Sequence, residues 1–193
     1  MRKYLIAALV AGTFATPALA QNAAPFTGPR VEGIVGYDRA GTEEVEDSDG
    51  VTYGGGVGYD FQMGGLVAGV EAEVIDSTVD ECSSAILTAG DELCAQVGRD
   101  IYAGGRIGTV LGSNTLVYAK AGYTNARLQT EYDDGVDGTD SIEEGDNLDG
   151  VRLGAGLEFA MGPNSYVKTE YRYSNYEQDF EKHQVLAGFG FRF

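Results

Sequence analysis

Charged side chains that alternate with apolar ones are the residues of this sequence best suited to do chemistry. In residues 150–158, Arg152 and Glu158 share one face of an extended segment, while Leu153 and Leu157 share the other. The same alternation selects eleven charged positions, which are Glu32, Glu71, Glu73, Arg106, Lys120, Arg152, Glu158, Lys168, Glu170, Arg172 and Arg192. Because acids and bases occur there in similar number, the set could pair into a polar network or line a path for ions.

Acidic residues are also concentrated between these segments, and one acidic run has part of a calcium-loop spacing. Asp133, Asp137, Gly138 and Glu144 fit positions 1, 5, 6 and 12 of the calcium-binding loop. Gly135 stands where a ligand is expected, and no helices are predicted on either side. The run therefore favours a solvated acidic loop that binds divalent cations loosely, and a defined calcium site on Asp133, Asp137 and Glu144 is the weaker hypothesis.

The two cysteines, Cys82 and Cys94, lie twelve positions apart in one acidic segment. In an exported protein, where the surroundings are oxidising, such a pair is expected to form a disulfide that contributes about 3 kcal/mol of stability. Two thiols with no histidine nearby make a poor metal site. We therefore predict a Cys82–Cys94 disulfide and no bound metal or other cofactor.

The single histidine, His183, is the natural candidate for a catalytic base. By alternation His183 faces away from the charged set, whereas Ser174 and Glu170 face toward it. A nucleophile and its base must lie within hydrogen-bond reach, and no such pair shares a face here. The sequence therefore predicts that the protein is not an enzyme.

These charged residues must be positioned by β-strands, and the last ten residues show of which kind. Odd positions from 185 to 193 are all apolar and end in Phe189, Phe191 and Phe193, while even positions include two glycines and Arg192. Glycine and a charge fill a protein core poorly, so the bulky face is better placed against lipid and the other face against a polar lumen. A strand in lipid cannot leave its backbone groups unpaired, so it must belong to a closed barrel.

The same period of two marks eight segments, joined by connections that are alternately long and short. The predicted strands are residues 30–39, 51–62, 66–75, 99–111, 115–128, 150–161, 165–173 and 184–193. Three short turns are expected at 63–65, 112–114 and 162–164, and long acidic loops at 40–50, 76–98 and 129–149, with a shorter one before the last strand. The predicted fold is all-β: an eight-stranded antiparallel up-and-down transmembrane β-barrel, with its short turns in the periplasm and its long loops outside the cell.

Aromatic residues on the apolar face fall into two groups, as expected for the two membrane interfaces. Outward phenylalanines lie near the short-turn end of the strands, at Phe61, Phe159 and Phe193. Outward tyrosines lie near the long-loop end, at Tyr37, Tyr53, Tyr123 and Tyr173.

The first residues have the pattern of an export signal. Arg2 and Lys3 precede an apolar run over residues 4–15, and Ala18 and Ala20 provide the small residues of a cleavage site. We predict a signal peptide at 1–20, a periplasmic N-terminal segment at 21–29 and the barrel at 30–193. The formal net charge of −17 excludes nucleic acid as a partner, because its phosphates would repel the chain.

Several motifs together resemble a known family. These are Gly104-Gly105-Arg106-Ile107-Gly108, the alternating run at 150–158, Glu170-Tyr171-Arg172-Tyr173 and the terminal phenylalanine. They are similar to the small outer-membrane β-barrel porin family of proteobacteria, which resembles the OmpA and OmpX transmembrane barrels and the opacity-type adhesins. The resemblance implies an outer-membrane location among lipid and lipopolysaccharide. It also implies that Phe189, Phe191 and Phe193 form the signal that the barrel assembly machinery reads.

Two functions remain open at this stage. The first is a non-enzymatic outer-membrane barrel that supports envelope integrity and presents acidic loops to divalent cations, lipopolysaccharide or other cells. The alternative is a narrow porin-like channel for small solutes or ions. The interior of an eight-stranded barrel is just wide enough to be filled by side chains, which favours the first.

Overall fold

The fold was analysed in a computed structural model that describes residues 25–42, 45–78, 80–84, 92–133, 142–177 and 180–193. The predicted signal peptide at 1–20 and residues 21–24 of the predicted N-terminal segment lie outside these residues. Among the residues described, no helix is long and apolar enough to cross a membrane.

The described chain forms nine β-strands, all paired with antiparallel neighbours. They are β1 (Gly28–Thr42), β2 (Val45–Met63), β3 (Leu66–Ser77), β4 (Asp80–Ser84), β5 (Glu92–Leu111), β6 (Thr115–Asp133), β7 (Ile142–Ala160), β8 (Ser165–Tyr176) and β9 (Glu181–Arg192). Each long strand pairs with the next, and β3 and the short β4 pair with successive parts of β5. Pairing of β9 with β1 closes a ring of eight, so the predicted eight-stranded barrel is confirmed.

The closing seam between β1 and β9 runs from Arg30 opposite Arg192 to Gly41 opposite Glu181. Every backbone group along this seam can therefore find a partner, which a strand in lipid requires. At the bottom of the seam the Phe193 amide donates to the Pro29 carbonyl at 2.9 Å. The first and last strands therefore begin and end, respectively, on the side of the barrel that carries the short turns.

The short turns occur where the sequence predicts them. β2 and β3 are joined through Gly64, whose φ of 64° is in the left-handed region that favours glycine. Gly112, with φ of 70°, plays the same part between β5 and β6. The third short turn lies between Ala160 and Ser165.

The predicted long loops were wrong in their extent, because most of each is strand. β2 already begins at Val45, β5 at Glu92 and β7 at Ile142, and β6 continues to Asp133. Lipid imposes the alternation of apolar and polar residues only within the membrane. The backbone ladder has no such limit and continues into water, where the pattern that revealed the strands no longer applies.

The two faces of the strands are divided as expected for a membrane barrel. The outer face exposes a continuous apolar surface, on which Val70 is 64% exposed and Val185 58%. The aromatic residues Phe61, Phe159 and Phe193 are exposed at the short-turn end, and Tyr37, Tyr53 and Tyr123 at the other end, while Tyr173 is half-buried. The inner face carries the buried polar residues.

Candidate functional site

The inner face of the barrel holds eight acids and eight bases, each no more than 7% exposed. They are Arg30, Glu32, Asp38, Asp60, Glu71, Glu73, Asp100, Arg106, Lys120, Arg152, Glu158, Lys168, Glu170, Arg172, Lys182 and Arg192. All eleven charged residues selected from the sequence are in this lumen set. The other five, which the sequence analysis did not select, are Arg30, Asp38, Asp60, Asp100 and Lys182.

Asp60 on β2 is the centre of the network nearest the short turns. Its carboxylate accepts hydrogen bonds from Arg30 Nε at 3.1 Å, from Arg106 Nε at 2.9 Å and from Arg192 Nη2 at 2.9 Å. Glu158 on β7 binds two of these three arginines, Arg106 at 3.0 Å and Arg192 at 2.8 Å. Three guanidinium groups from three strands are thereby fixed around two carboxylates.

Lys120 on β6 occupies the middle of the lumen. Its Nζ lies 2.6 Å from Glu71, 2.8 Å from Glu73 and 3.2 Å from Glu170, so the ammonium group has three carboxylates around it. Arg172 on β8 binds Glu73 at 2.9 Å and also binds Glu170. Since Glu73 comes from β3, these contacts cross the barrel rather than follow one strand pair.

Glu32 links the middle of the network to its lower part. Lys168 Nζ donates to it at 2.6 Å, the Tyr166 hydroxyl at 2.8 Å, and Arg30 lies 3.0 Å away. Because Arg30 also binds Asp60 and Glu71, the lower and middle groups form one connected network.

A separate group of contacts fills the end of the lumen toward the long connections. Asp100 binds Arg152 and also accepts hydrogen bonds from Thr124 at 2.8 Å and Tyr176 at 2.9 Å. Arg152 Nε donates to the Ser174 hydroxyl at 2.8 Å.

Lys182 completes this group by binding Asp38 at 2.9 Å. Every charged side chain in the lumen set therefore has an oppositely charged partner, as the cost of burying an unpaired charge requires.

A small apolar cluster occupies the lower end of the lumen, below the charges. Phe26, which precedes β1, is fully buried and packs with Val67, Leu116 and Tyr118. Its backbone amide donates to Gln62 at 3.2 Å. The short segment before the first strand thus folds back across the mouth of the barrel.

A second apolar cluster lies at the other end of the lumen, beside the Asp100 group. Ala126, Leu148 and Tyr176 are buried together there, and Phe180 packs against them with its ring centroid 5.6 Å from that of Tyr176. An apolar cluster therefore lies at each end of the charged network.

Glycines on the inner face make room for large side chains. A Cβ at Gly190 would lie 2.4 Å from Cζ of Tyr166, and a Cβ at Gly156 would lie 2.7 Å from Cζ of Tyr118. Real Cβ atoms do not approach so closely, so only glycine at these two positions leaves room for the tyrosine rings.

In the sequence, the remaining 22 of the 30 acids all fall in segments 43–49, 76–92, 131–149 and 177–181. One of them, Asp49, is bound by exposed Arg39 at 3.0 Å, and this hydrogen bond holds the pKa of Asp49 below its ordinary value. Among the side chains that the structure describes, no acid falls within the apolar outer band, where a charge would face lipid.

The disulfide and the calcium loop are the other two sites predicted from the sequence. Cys82 and Cys94 are direct partners in the pairing of β4 with β5, and their disulfide stays a prediction. Asp133 ends β6 and Glu144 pairs within β7 opposite Thr130, whereas Asp137 lies outside the described residues. Among the residues described, no group of His, Cys, Asp and Glu is arranged to hold a metal ion.

His183 lies on the outer face, where its Nδ1 is 2.8 Å from the Tyr171 hydroxyl. Ser174 and Glu170 are buried on the inner face. The structure therefore does not bring these three residues together.

A closed barrel with an apolar exterior and a charged interior is the architecture of an outer-membrane protein. A family model described as outer membrane protein beta-barrel domain matches residues 6–193. The chain belongs to this family. This outer-membrane barrel is 29% identical over 148 residues to the 31 kDa outer-membrane immunogenic proteins of Brucella melitensis biotype 1 and Brucella suis biovar 1, an alignment that covers 72% of the chain. The chain spans 61% of the length of these curated relatives.

Solved structures give the same fold. Ail, the attachment invasion locus protein of Yersinia pestis, matches with a TM-score of 0.58 at 15% identity, over 86% of this chain and 99% of Ail. Neisserial surface protein A matches with a TM-score of 0.61 at 15% identity, over 86% of this chain and 98% of that protein. The predicted family and outer-membrane location are thus confirmed.

Proposed function

We propose that the protein is a non-enzymatic, non-conducting outer-membrane barrel that supports envelope integrity. The observation that carries this proposal is the paired polar network: eight acids and eight bases pair across the lumen, with an apolar cluster at each end. A side chain that already binds two or three partners cannot move aside for an ion without leaving a buried charge unpaired.

The absence of catalysis in this proposal is supported by the orientation of the only histidine. His183 is on the outer face, and the buried hydroxyl of Ser174 accepts from Arg152 instead of facing a base. The Brucella relatives are named as immunogenic outer-membrane proteins. We extend this to surface exposure of the acidic strand ends of the present chain, where divalent cations and lipopolysaccharide are the proposed partners. Phe189, Phe191 and Phe193, all on the outer face, are the proposed signal for the barrel assembly machinery.

Single-channel recording in planar bilayers tests the proposal against the narrow porin-like channel. We expect no steady conductance from the wild-type barrel. A matched variant, Lys120→Ala with Glu73→Ala, removes one base and one acid from the middle of the lumen and should open a measurable path. Correct folding of both proteins is checked by the different gel mobility of unheated and boiled samples. Steady wild-type conductance that changes when these lumen charges are removed would replace the proposed function with the channel.

A further inference from the structure

Two exposed arginines, Arg99 and Arg127, differ from all other basic residues that the structure describes. Each of the others has a carboxylate partner within 4.0 Å, including Arg39, which is also exposed and binds Asp49. Among the described basic side chains, Arg99 and Arg127 alone have no such partner. A positive charge without a partner is unexpected next to segments of the sequence that hold 22 acids.

A β-bulge brings the two arginines next to each other. Val97 pairs with Leu128 and Asp100 with Ala126, so Gly98 and Arg99 together stand opposite the single residue Arg127. Such an extra residue changes the direction of the side chains around it. Arg99 and Arg127 are both exposed, while their neighbours Asp100 and Ala126 are buried in the lumen. The two guanidinium groups therefore leave the barrel on the same outer surface.

Their height places these arginines at the outer leaflet. Tyr123, in the upper aromatic belt, is four residues below Arg127 on the same face of β6. Four residues of a strand tilted as in membrane barrels correspond to a rise of about 10 Å. Because aromatic belts mark the headgroup level, the arginines lie at the outer side of the headgroup layer.

Two described acids flank this surface, and neither forms an ion pair with Arg99 or Arg127. Asp76 follows the last pair of β3 with β5, beside Arg99, and accepts a hydrogen bond from the Ser77 amide at 2.9 Å. Asp149 accepts hydrogen bonds from the Tyr123 hydroxyl at 2.5 Å and from the Asn125 amide at 2.7 Å. On the other side, the exposed Asn147 is the cross-strand partner of Arg127 and adds an amide donor. The surface thus presents two guanidinium groups and an amide in a row across β5, β6 and β7.

We infer that Arg99 and Arg127, with Asn147, bind a phosphate of the lipid headgroup of the outer leaflet, as in lipopolysaccharide. A guanidinium group donates two parallel hydrogen bonds to a phosphate, and two adjacent guanidinium groups can hold one phosphate from two sides. The lipid is the source because the side chains leave the barrel sideways at headgroup height rather than upward into water. The site deepens the proposed envelope role by giving the barrel a fixed attachment to its surrounding lipid.

Binding of fluorescent lipid A, measured by anisotropy in a phosphate-free detergent such as octyl glucoside, tests the inference. We expect the full-length barrel to bind phosphorylated lipid A more tightly than dephosphorylated lipid A. Arg99→Gln with Arg127→Gln should weaken binding of the phosphorylated lipid about tenfold, which corresponds to roughly 1.4 kcal/mol. The matched control is Arg39→Gln, which removes an exposed arginine that already has a partner and should change binding less than about twofold.

Three results would overturn the site: equal binding of both lipids by the wild type, unchanged binding by the double variant, or an equal loss in the Arg39→Gln control. Displacement of the lipid by inorganic phosphate at an equal concentration would indicate a free-anion site and contradict the lipid assignment. Conductance is measured separately, so a barrel that conducts but still binds phosphorylated lipid A through these arginines would remove the proposed function and leave this site standing.

Discussion

Replacing Arg152 by methionine should destabilise the barrel more than any comparable change on its surface. Arg152 is fully buried, binds Asp100 and donates to Ser174 and Tyr176. Methionine is similar in length, so the main loss is of charge rather than of volume. Asp100 would keep two neutral donors, Thr124 and Tyr176, and no longer have its guanidinium partner. Breaking a buried ion pair costs about 3–5 kcal/mol, and the two remaining donors place this case near 3 kcal/mol.

A mutant cycle separates the charge effect from packing. Asp100→Asn with Arg152→Met removes both charges, and replacing both members of a buried pair costs far less than breaking it, so the double variant should be more stable than Arg152→Met alone. Arg39→Met, which removes an exposed arginine, should give no measurable change.

The assay is a urea titration in lipid vesicles, read from the fraction of protein that keeps the mobility of the folded, unheated barrel on a gel. A gel is preferred to intrinsic fluorescence because the chain contains no tryptophan. Two results would refute this reasoning. The first is an Arg152→Met variant whose urea midpoint equals that of the wild type, and the second is a double variant that is less stable than Arg152→Met.

Two further predictions concern the wall of the barrel and its cysteines. Gly190→Ala should lower the stability by about 1–3 kcal/mol in the same titration, because the new methyl group would overlap a lumen tyrosine ring. The control is Gly33→Ala, which has nothing within 4 Å of the added carbon and should not lower the urea midpoint. Equal midpoints for the two variants would contradict the overlap. Cys82 and Cys94 should be bonded, so thiol labelling of denatured, unreduced protein from the outer membrane should detect no free thiol, and labelled cysteines would disprove the disulfide.

Alternation alone was sufficient to predict the eight strands of the barrel within the membrane and the face of most charged residues, but not the extension of the strands beyond it. Lys168, Glu170 and Arg172 occur at every second position of β8, and all three are buried in the lumen. The prediction succeeded because the barrel wall has lipid on its outer side and a polar lumen on its inner side. The polarity of each strand residue therefore indicates which side its side chain faces.

The partners of these charges could not be predicted in the same way. Arg106 on β5 binds Asp60 on β2, which is not a neighbouring strand. Contacts across a lumen depend on the stagger of all strands around the barrel, and the polarity pattern of a single strand does not contain that stagger. Arg30, Asp100 and Lys182 were missed for a different reason, since they lie where the apolar alternation ends and look like strand boundaries.

The apolar cluster at the lower end of the lumen could not be predicted from the alternation either. Phe26 precedes the first strand in a segment with no period, and nothing in its neighbours indicates that it turns back into the barrel. Only the structure places it beneath Arg192, whose guanidinium carbon is 5.5 Å from the centre of its ring.

The equal number of acids and bases in the lumen bears on the choice between a plug and a pore. A water-filled pore can hold an unequal set of charges, because mobile ions enter and compensate the excess. A sealed lumen has no such supply, so its fixed charges must balance one another. The chain as a whole has a formal net charge of −17, yet the lumen set is balanced at eight and eight, so the acidic excess lies wholly outside this set. A closed lumen requires that its own charges balance, whereas an open lumen does not. The balance of eight acids and eight bases therefore favours a barrel that does not conduct.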